Sequence, residues 1–199
     1  MKSHVRLLAL GGVVGPVVFV GSWAFAGATT TGYSAVENAI SDLAAVDATT
    51  RVAMTAGFVV DGLGLIGFGL ALREVLEGRA WIAAVVTGVC TIGVAATPLG
   101  GWSGDQAHAA FAGLGYVAIA ALPLLAAPGL ARNGRSDWAR VSVLTGTISA
   151  ASLVASTFGP AHGLWQRLGL TMGDAWIVAT ASSLVAAIGS EPRGQRTRR

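Results

Sequence analysis

Charged residues are scarce in this chain: Asp, Glu, Lys and Arg make up 12% of its 199 residues, whereas about a quarter is usual in a soluble domain. Apolar residues make up 53%, and the mean hydropathy is +0.65. This composition excludes a disordered, fibrous or disulfide-framed secreted protein. A chain this apolar has to satisfy its backbone hydrogen bonds inside lipid, where only helix bundles and closed barrels can span. The sequence therefore predicts an integral membrane protein.

Cysteine and lysine each occur once, as Cys90 and Lys2. A single cysteine excludes an intrachain disulfide and a thiolate metal cage. The net charge is only +3, and the basic residues gather at the chain ends and in loops, so we expect no nucleic acid partner. The sequence contains no nucleophile elbow, phosphate loop or nicotinamide fingerprint, and it predicts no cofactor and no metal. Ligation of a metal or haem by His108 and His162 stays an open alternative.

Six apolar stretches are long enough to cross a membrane, because about 30 Å of hydrocarbon requires about 20 helical residues. We expect an all-α, polytopic bundle of six transmembrane helices, formed as one domain by residues 1–190 and followed by a basic cytoplasmic tail at 191–199. The predicted spans run from Leu7 to Ala26, Val52 to Leu72, Trp81 to Leu99, Ala109 to Ala127, Val141 to Phe158 and Leu168 to Ile188.

Basic residues predict the orientation of the bundle, because cytoplasmic loops are enriched in lysine and arginine. Eleven of the 13 basic residues fall on one side of the predicted spans, and only Arg51 and Arg167 fall on the other. We therefore expect a multi-pass protein of the cell membrane with both termini in the cytoplasm. Cleavage after the signal-peptidase-like sequence Ala24-Phe25-Ala26 stays an alternative, which would leave five spans.

The longest predicted loop, residues 27–51, lies outside the cytoplasm in this topology. The pattern Ser34-x-x-Glu37 is typical of a capping box at the start of a helix. Apolar residues from Val36 to Val46 then share one face of a helical wheel and polar residues the other. The pattern predicts a short amphipathic helix at the membrane interface or over the mouth of the bundle, with a plain solvated loop as the alternative.

The rarer polar residues also gather on the extracytoplasmic side of this topology. They predict an outward-facing polar pocket, because ionisable groups at membrane depth usually face the bundle interior or a wet cavity. Two carboxylates, Asp61 and Asp174, lie deeper, within spans. The residues nearer the outer face are Asp42, Asp105, His108, His162, Gln166 and Arg167.

Each candidate residue allows a functional and a structural interpretation. Asp105 and His108 are three residues apart and could form an acid/base pair, or Asp105 could simply cap its helix. Arg167 could bind an anionic head group or pair with Asp42 or Asp105. Asp61 and Asp174 could belong to a structural network between helices, and Asp61 could instead form a proton relay or a cation site.

Four short motifs, in this order along the chain, resemble those of one bacterial and archaeal membrane family, domain of unknown function 998. They are Gly15-Pro16, Asn38-x-x-Ser41-Asp42-Leu43, His108, and Gly163-Leu164-x-Gln166-Arg167-Leu168. The resemblance covers about residues 7–188, and it implies the membrane fold without implying a reaction. It also points to Ser41, Asp42, His108, Gln166 and Arg167 as recurring positions.

These observations predict that the pocket binds a small amphipathic or lipid-like ligand. In this hypothesis Gln166 and Arg167 engage the head group, and Asp42 orients Arg167. A membrane enzyme is the first alternative, in which His108 acts with Asp105 or Asp42 on a lipid-soluble substrate. A structural or assembly protein without a ligand is the second. The expected partners are membrane lipid, a lipid-like small molecule and, as an open alternative, further copies of the chain.

Overall fold

The computed structural model describes residues 2–102 and 104–189, and all regular structure within them is helical. The predicted cytoplasmic tail, residues 191–199, lies outside the described residues. Six α-helices follow one another, with a five-residue 3-10 helix, Ile40–Ala44, between the first two. The helices are α1 (Lys2–Thr29), α2 (Arg51–Val75), α3 (Ala80–Ala96), α4 (Gly104–Arg132), α5 (Ser136–Ala155) and α6 (His162–Gly189).

Five of these helices, α1, α2, α4, α5 and α6, are long and apolar enough to cross a membrane. The third, α3, is equally apolar in character but has 17 residues. The prediction of an all-helical membrane bundle is confirmed at this level. Every predicted span overlaps a helix, and α4 extends well beyond both ends of the stretch predicted for it.

The helices form a closed ring in chain order. Each helix packs against the next, and α6 packs back against α1. Helix α4 also contacts α6 directly, so α5 lies outside a smaller ring made by the other five helices. This arrangement leaves the axis of the smaller ring enclosed by helix faces on every side.

Glycines bring the first three helices unusually close together. A Cβ atom on Gly11 of α1 would lie 2.7 Å from the carbonyl oxygen of Gly64 on α2. A Cβ atom on Gly15 would lie 3.1 Å from the carbonyl oxygen of Asp61. The spacing of Gly11 and Gly15 therefore serves close helix packing, as the sequence predicts.

The first loop is more irregular than the sequence predicts. The expected amphipathic helix from Val36 to Val46 is reduced to the 3-10 helix Ile40–Ala44. The Ser34 hydroxyl does accept a hydrogen bond from the Glu37 amide at 3.3 Å, but the Glu37 carboxylate does not return to cap Ser34. It accepts instead from the amide of Ala161, at 3.2 Å, in the connection between α5 and α6.

The 3-10 helix closes one end of the ring. Ile40 and Leu43 are each only 1% exposed and pack in a cluster with Phe19, Met54 and Phe58 from α1 and α2. Two backbone hydrogen bonds tie the flanking loop to the other connections at this end, from Val46 to Leu99 and from Leu164 to Val36. We call residues 34–46 the cover segment, and the end of the bundle where they lie the covered end.

Candidate functional site

A cavity lies inside the ring, beneath the cover segment. It offers about 60 Å³ to the centres of water-sized molecules and is lined by α1, α2, α3, α4, α6 and the cover segment. Three phenylalanines, Phe19, Phe58 and Phe111, supply most of its aromatic surface. The polar side chains in its wall are Ser41, Asp61, Thr87, Thr91, Tyr116, Gln166 and Asp174.

Asp61 of α2 and Asp174 of α6 are the ionisable groups of greatest interest in this wall. Each is 3% exposed, and each has one carboxyl oxygen without a hydrogen-bond partner among the described residues. Both carboxyls line the same small cavity. The structure thus brings together two residues that the sequence places 113 positions apart.

The close approach of α1 and α2 explains how Asp61 comes to be buried. Gly15 has no side chain, so the backbone of α1 passes directly over Asp61. On the other side, a Cβ atom on Gly62 would lie 2.6 Å from the Gly88 carbonyl oxygen of α3. Asp61 is therefore held at a crossing of three helices, where a bulkier sequence would keep the helices apart.

Gln166 of α6 connects the cover segment with the cavity wall. Its Oε1 accepts a hydrogen bond from the backbone amide of Ile40 at 2.8 Å. Its Nε2 donates to the hydroxyl of Tyr116 on α4. The side chain is buried and lines the cavity, so it contacts whatever the cavity holds as well as the cover.

Arg167, the next residue, holds the cover segment from the other side. Its Nη1 donates to the carbonyl oxygens of Ala35 at 2.8 Å and Asn38 at 2.9 Å, and to Gly163 in its own helix at 2.9 Å. Its Nη2 donates to the Tyr33 hydroxyl. The guanidinium also lies over the ring of Trp23, with 5.3 Å from Cζ to the ring centroid.

The described contacts of Arg167 and Asp42 differ from the expected pairing between these two residues, and a role of Arg167 at a ligand stays a prediction. The described hydrogen bonds of Arg167 go to carbonyls and to Tyr33, and the side chain is buried at 6% exposure. Asp42 accepts a hydrogen bond from the Ala39 amide at 2.9 Å, which caps the 3-10 helix. Asp42 therefore stabilises the cover segment, and the arginine binds backbone carbonyls where the sequence predicted a carboxylate.

Tyr33 completes this anchoring cluster. Its hydroxyl donates to the Ala39 carbonyl at 2.8 Å while accepting from Arg167. Burial raises the pKa of Tyr33 above 10.0, and the charge and hydrogen bond of Arg167 lower it in part. The phenol is neutral at physiological pH, which it has to be in order to donate to Ala39.

The expected pair of Asp105 and His108 is not formed. Asp105 accepts a hydrogen bond from the Gly100 amide at 2.9 Å and is exposed at the start of α4. The His108 ring is buried and bonds through Nδ1 to the Thr97 carbonyl at 2.7 Å, while its Nε2 has no partner among the described residues. Asp105 thus acts as a local cap, and His108 lies outside the wall of the cavity.

His162, the remaining histidine among the outer candidates, is exposed at the first position of α6. Within residues 2–102 and 104–189, no cluster of three or more His, Cys, Asp and Glu side chains has a geometry suited to a metal ion. Cys90, the single cysteine, lines the cavity beside Thr87 and Thr91.

Sequence reasoning missed the two tyrosines of the site. Tyr33 contacts Arg167 and Tyr116 contacts Gln166, so the two neighbouring residues of α6 each bond to one tyrosine. The chain contains only two tyrosines. Their rarity in so apolar a sequence is the signal that could have identified them, because a buried phenol needs a hydrogen-bond partner.

Comparison with known proteins agrees with the resemblance seen in the motifs. No curated protein and no solved structure matches the sequence. A family model described as a protein of unknown function (DUF998) matches residues 13–183, which include both cavity carboxylates and the whole cover segment. The chain therefore belongs to the DUF998 family.

Proposed function

We propose that this protein is a six-span protein of the cell membrane that binds a small amphipathic or lipid-like molecule in its cavity. The observation that carries the proposal is the pair of unpartnered carboxyl oxygens, on Asp61 and Asp174, in the wall of that cavity. Buried polar groups in native proteins have partners as a rule. Unpartnered oxygens beside enclosed space favour a bound group that supplies the missing contacts.

The sixth span in this proposal is α3. At about 1.5 Å per residue its 17 residues extend about 25 Å, near the lower limit for a spanning helix. It packs between α2 and α4, both of which are long enough to span. With six spans the termini share one side, and the excess of basic residues on that side supports a cytoplasmic location. The cover segment then faces outward.

Cysteine labelling tests this topology in intact cells. We choose Thr49→Cys at the covered end and Asn133→Cys at the opposite end as a matched pair, both exposed and both in a Cys90→Ala background. A membrane-impermeant maleimide should label position 49 in intact cells and position 133 only after lysis. The reverse pattern would contradict the proposed orientation.

We assign the ligand contacts to residues that line the cavity. Arg167 is occupied by the cover segment, so we assign it to positioning that segment, together with Asp42. Polar groups of the ligand meet Asp61, Asp174 and Gln166, with Ser41 above them, and its apolar part lies against the phenylalanine rings. The room equals about four to six water molecules, at about 10–15 Å³ each. The ligand is therefore small, unless the cover segment moves to admit a longer one.

Native mass spectrometry on protein extracted in mild detergent tests the proposal. Ala112 lines the cavity, so Ala112→Leu should fill it and remove a co-purifying small molecule. Ala110 lies on the exposed surface of the same helix, so Ala110→Leu adds the same volume outside and should retain that molecule. The same spectra report whether the chain forms homo-oligomers.

The proposal fails if wild-type protein, freshly extracted, carries no small molecule and none can be loaded into it. That outcome would favour a structural or assembly role, in which the polar residues only hold helices together. It also fails if Ala112→Leu retains the bound mass as fully as Ala110→Leu does, because the molecule would then lie outside the cavity.

A further inference from the structure

We propose that the molecule bound in the cavity is a small organic ammonium ion, held between the carboxyls of Asp61 and Asp174. This inference rests on the proposed function and adds the charge and chemical class of the ligand. The observations that carry it are the placement of the two carboxyls, the absence of basic groups from the wall, and the aromatic rings around the space.

The two carboxyls lie on different helices, Asp61 on α2 and Asp174 on α6, and both line the cavity. Each has an oxygen that is buried and unpartnered, and both side chains are 3% exposed. Both side chains line the same small cavity, so a group held in that space lies beside both of them. An ammonium ion carries up to three donors and no acceptor, which matches a pair of acceptor-only carboxylates.

The wall offers these carboxyls no counter-ion of its own. None of the described residues that line the cavity is Lys, Arg or His. Arg167 is buried but does not line the cavity, and it donates hydrogen bonds to the cover segment and to Gly163. Two carboxylates in a low-dielectric interior are strongly unfavourable unless a proton or a cation compensates their charge. A bound cation supplies that compensation.

The rest of the wall favours an organic cation over a metal ion. Hard metal ions take six or more oxygen ligands, whereas the described residues provide no cluster of metal-ligating side chains. Phe19 and Phe58 form a tilted pair with ring centroids 5.3 Å apart, and Phe111 lies across the space. Aromatic faces attract cations and also accept an alkyl chain. A short alkylammonium ion can bond to the carboxyls through its ammonium group and pack its alkyl chain against the phenylalanine rings.

Isothermal titration calorimetry on the full-length protein in detergent tests the inference with three probes of similar size. n-Butylammonium carries the positive charge, 1-butanol is neutral and butyrate is negative. We expect butylammonium to bind wild-type protein at least tenfold more tightly than butanol, with no measurable butyrate binding. Asp61→Asn and Asp174→Asn, which keep the side-chain shape, should each weaken butylammonium binding at least tenfold.

Asp137→Asn is the matched control. Asp137 is an exposed aspartate at the start of α5, paired with Arg140 on the surface and remote from the cavity wall. This variant should bind butylammonium as the wild type does. The comparison among probes in wild-type protein does not depend on any variant folding, so the inference remains testable if an Asn variant is unstable.

The possible failures separate the two proposals. Equal binding of butanol and butylammonium, or a neutral or anionic molecule in the native mass spectrum, would overturn the ammonium inference and leave a ligand-binding cavity in place. Stronger binding of sodium ion than of butylammonium would overturn it in favour of an inorganic cation. If no probe binds and no molecule co-purifies, both proposals fail, and a proton shared by the two carboxyls would explain their burial.

Discussion

Replacing Arg167 with alanine should release the cover segment while leaving the bundle folded. The guanidinium donates to two carbonyl oxygens of the cover segment, those of Ala35 and Asn38, at 2.8 and 2.9 Å. Hydrogen bonds that involve a charged group contribute about 1.5–3 kcal/mol each. The two bonds together therefore amount to about 3–6 kcal/mol of stabilisation for the closed segment.

Part of this stabilisation is offset in the variant, because removing a buried charge also removes the cost of keeping it from water. We therefore expect the lower end of the range, about 3 kcal/mol, which corresponds to about a 100-fold increase in opening of the cover segment. The helices of the ring make their own extensive contacts, so their stability should change far less.

Hydrogen exchange followed by mass spectrometry measures this local opening directly. The amides of Ala39 and Ile40 are bonded to Asp42 and Gln166, so they report on closure of the segment. Their exchange should accelerate about 100-fold in Arg167→Ala, by the arithmetic above. Arg140→Ala is the control, because Arg140 forms only an exposed pair with Asp137, of a kind that contributes little.

Two results would refute the reasoning. Unchanged exchange at Ala39 and Ile40 would show that Arg167 does not hold the segment closed. An equal acceleration throughout α2 and α4 would show that Arg167 stabilises the whole bundle, which would support the structural interpretation of this residue.

Two further predictions concern helix packing and Tyr33. Gly11→Ala places a Cβ atom 2.7 Å from the Gly64 carbonyl oxygen, so it should lower the free energy of unfolding in detergent by about 1–3 kcal/mol. Gly21→Ala is the control, because its Cβ atom meets nothing within 4 Å and should leave the stability unchanged. Equal effects of the two substitutions would contradict the close packing of α1 and α2. Because burial raises the pKa of Tyr33 above 10.0, its stabilising contribution is present below pH 10.0 and is lost as the pH rises through the raised value. After division by the base-catalysed intrinsic rate, hydrogen exchange in the cover segment should accelerate over that range in the wild type and show no such step in Tyr33→Phe, which should already be more open at neutral pH.

The helical bundle could be predicted from the sequence because each apolar run is long and few charges interrupt it. The helix ends could not be predicted as well, since the boundary of the hydrocarbon is not the boundary of the helix. α4 begins at Gly104 and continues to Arg132, although the apolar stretch covers only Ala109 to Ala127. The helix continues through Pro128 and Gly129, a dipeptide that normally favours a turn, as far as Arg132.

The first loop shows why local patterns were insufficient at the site. The capping pattern at Ser34 predicts a helix, and the Ser34 hydroxyl does bond the Glu37 amide. The Glu37 carboxylate, however, bonds the Ala161 amide, which is 124 residues away. Contacts of this kind depend on which connections meet at one end of the bundle, and they outweigh the weak preference of a short segment for regular helix.

Arg167 shows a related limit. The sequence predicts a carboxylate partner for Arg167, because a residue of opposite charge is the kind of partner that side-chain identity alone can indicate. Its described hydrogen-bond partners are three backbone carbonyls and a tyrosine. Carbonyl groups occur at every residue, so no sequence pattern distinguishes the ones that an arginine will find. The placement of Arg167 near the first loop was predictable, and its partners were not.

The positions of Gln166 and Arg167 couple the cover segment to the cavity. Arg167 bonds carbonyls of the cover segment, while Gln166 bonds the Ile40 amide and also lines the space below it. The Gln166 amide spans from Ile40 to Tyr116, so a ligand that displaces Tyr116 or bonds Gln166 changes the support of the cover segment as well. By the reciprocity of linked equilibria, opening the cover segment has to change the affinity for the same ligand. Anchoring of the cover segment and the proposed ligand binding therefore both depend on one pair of adjacent residues.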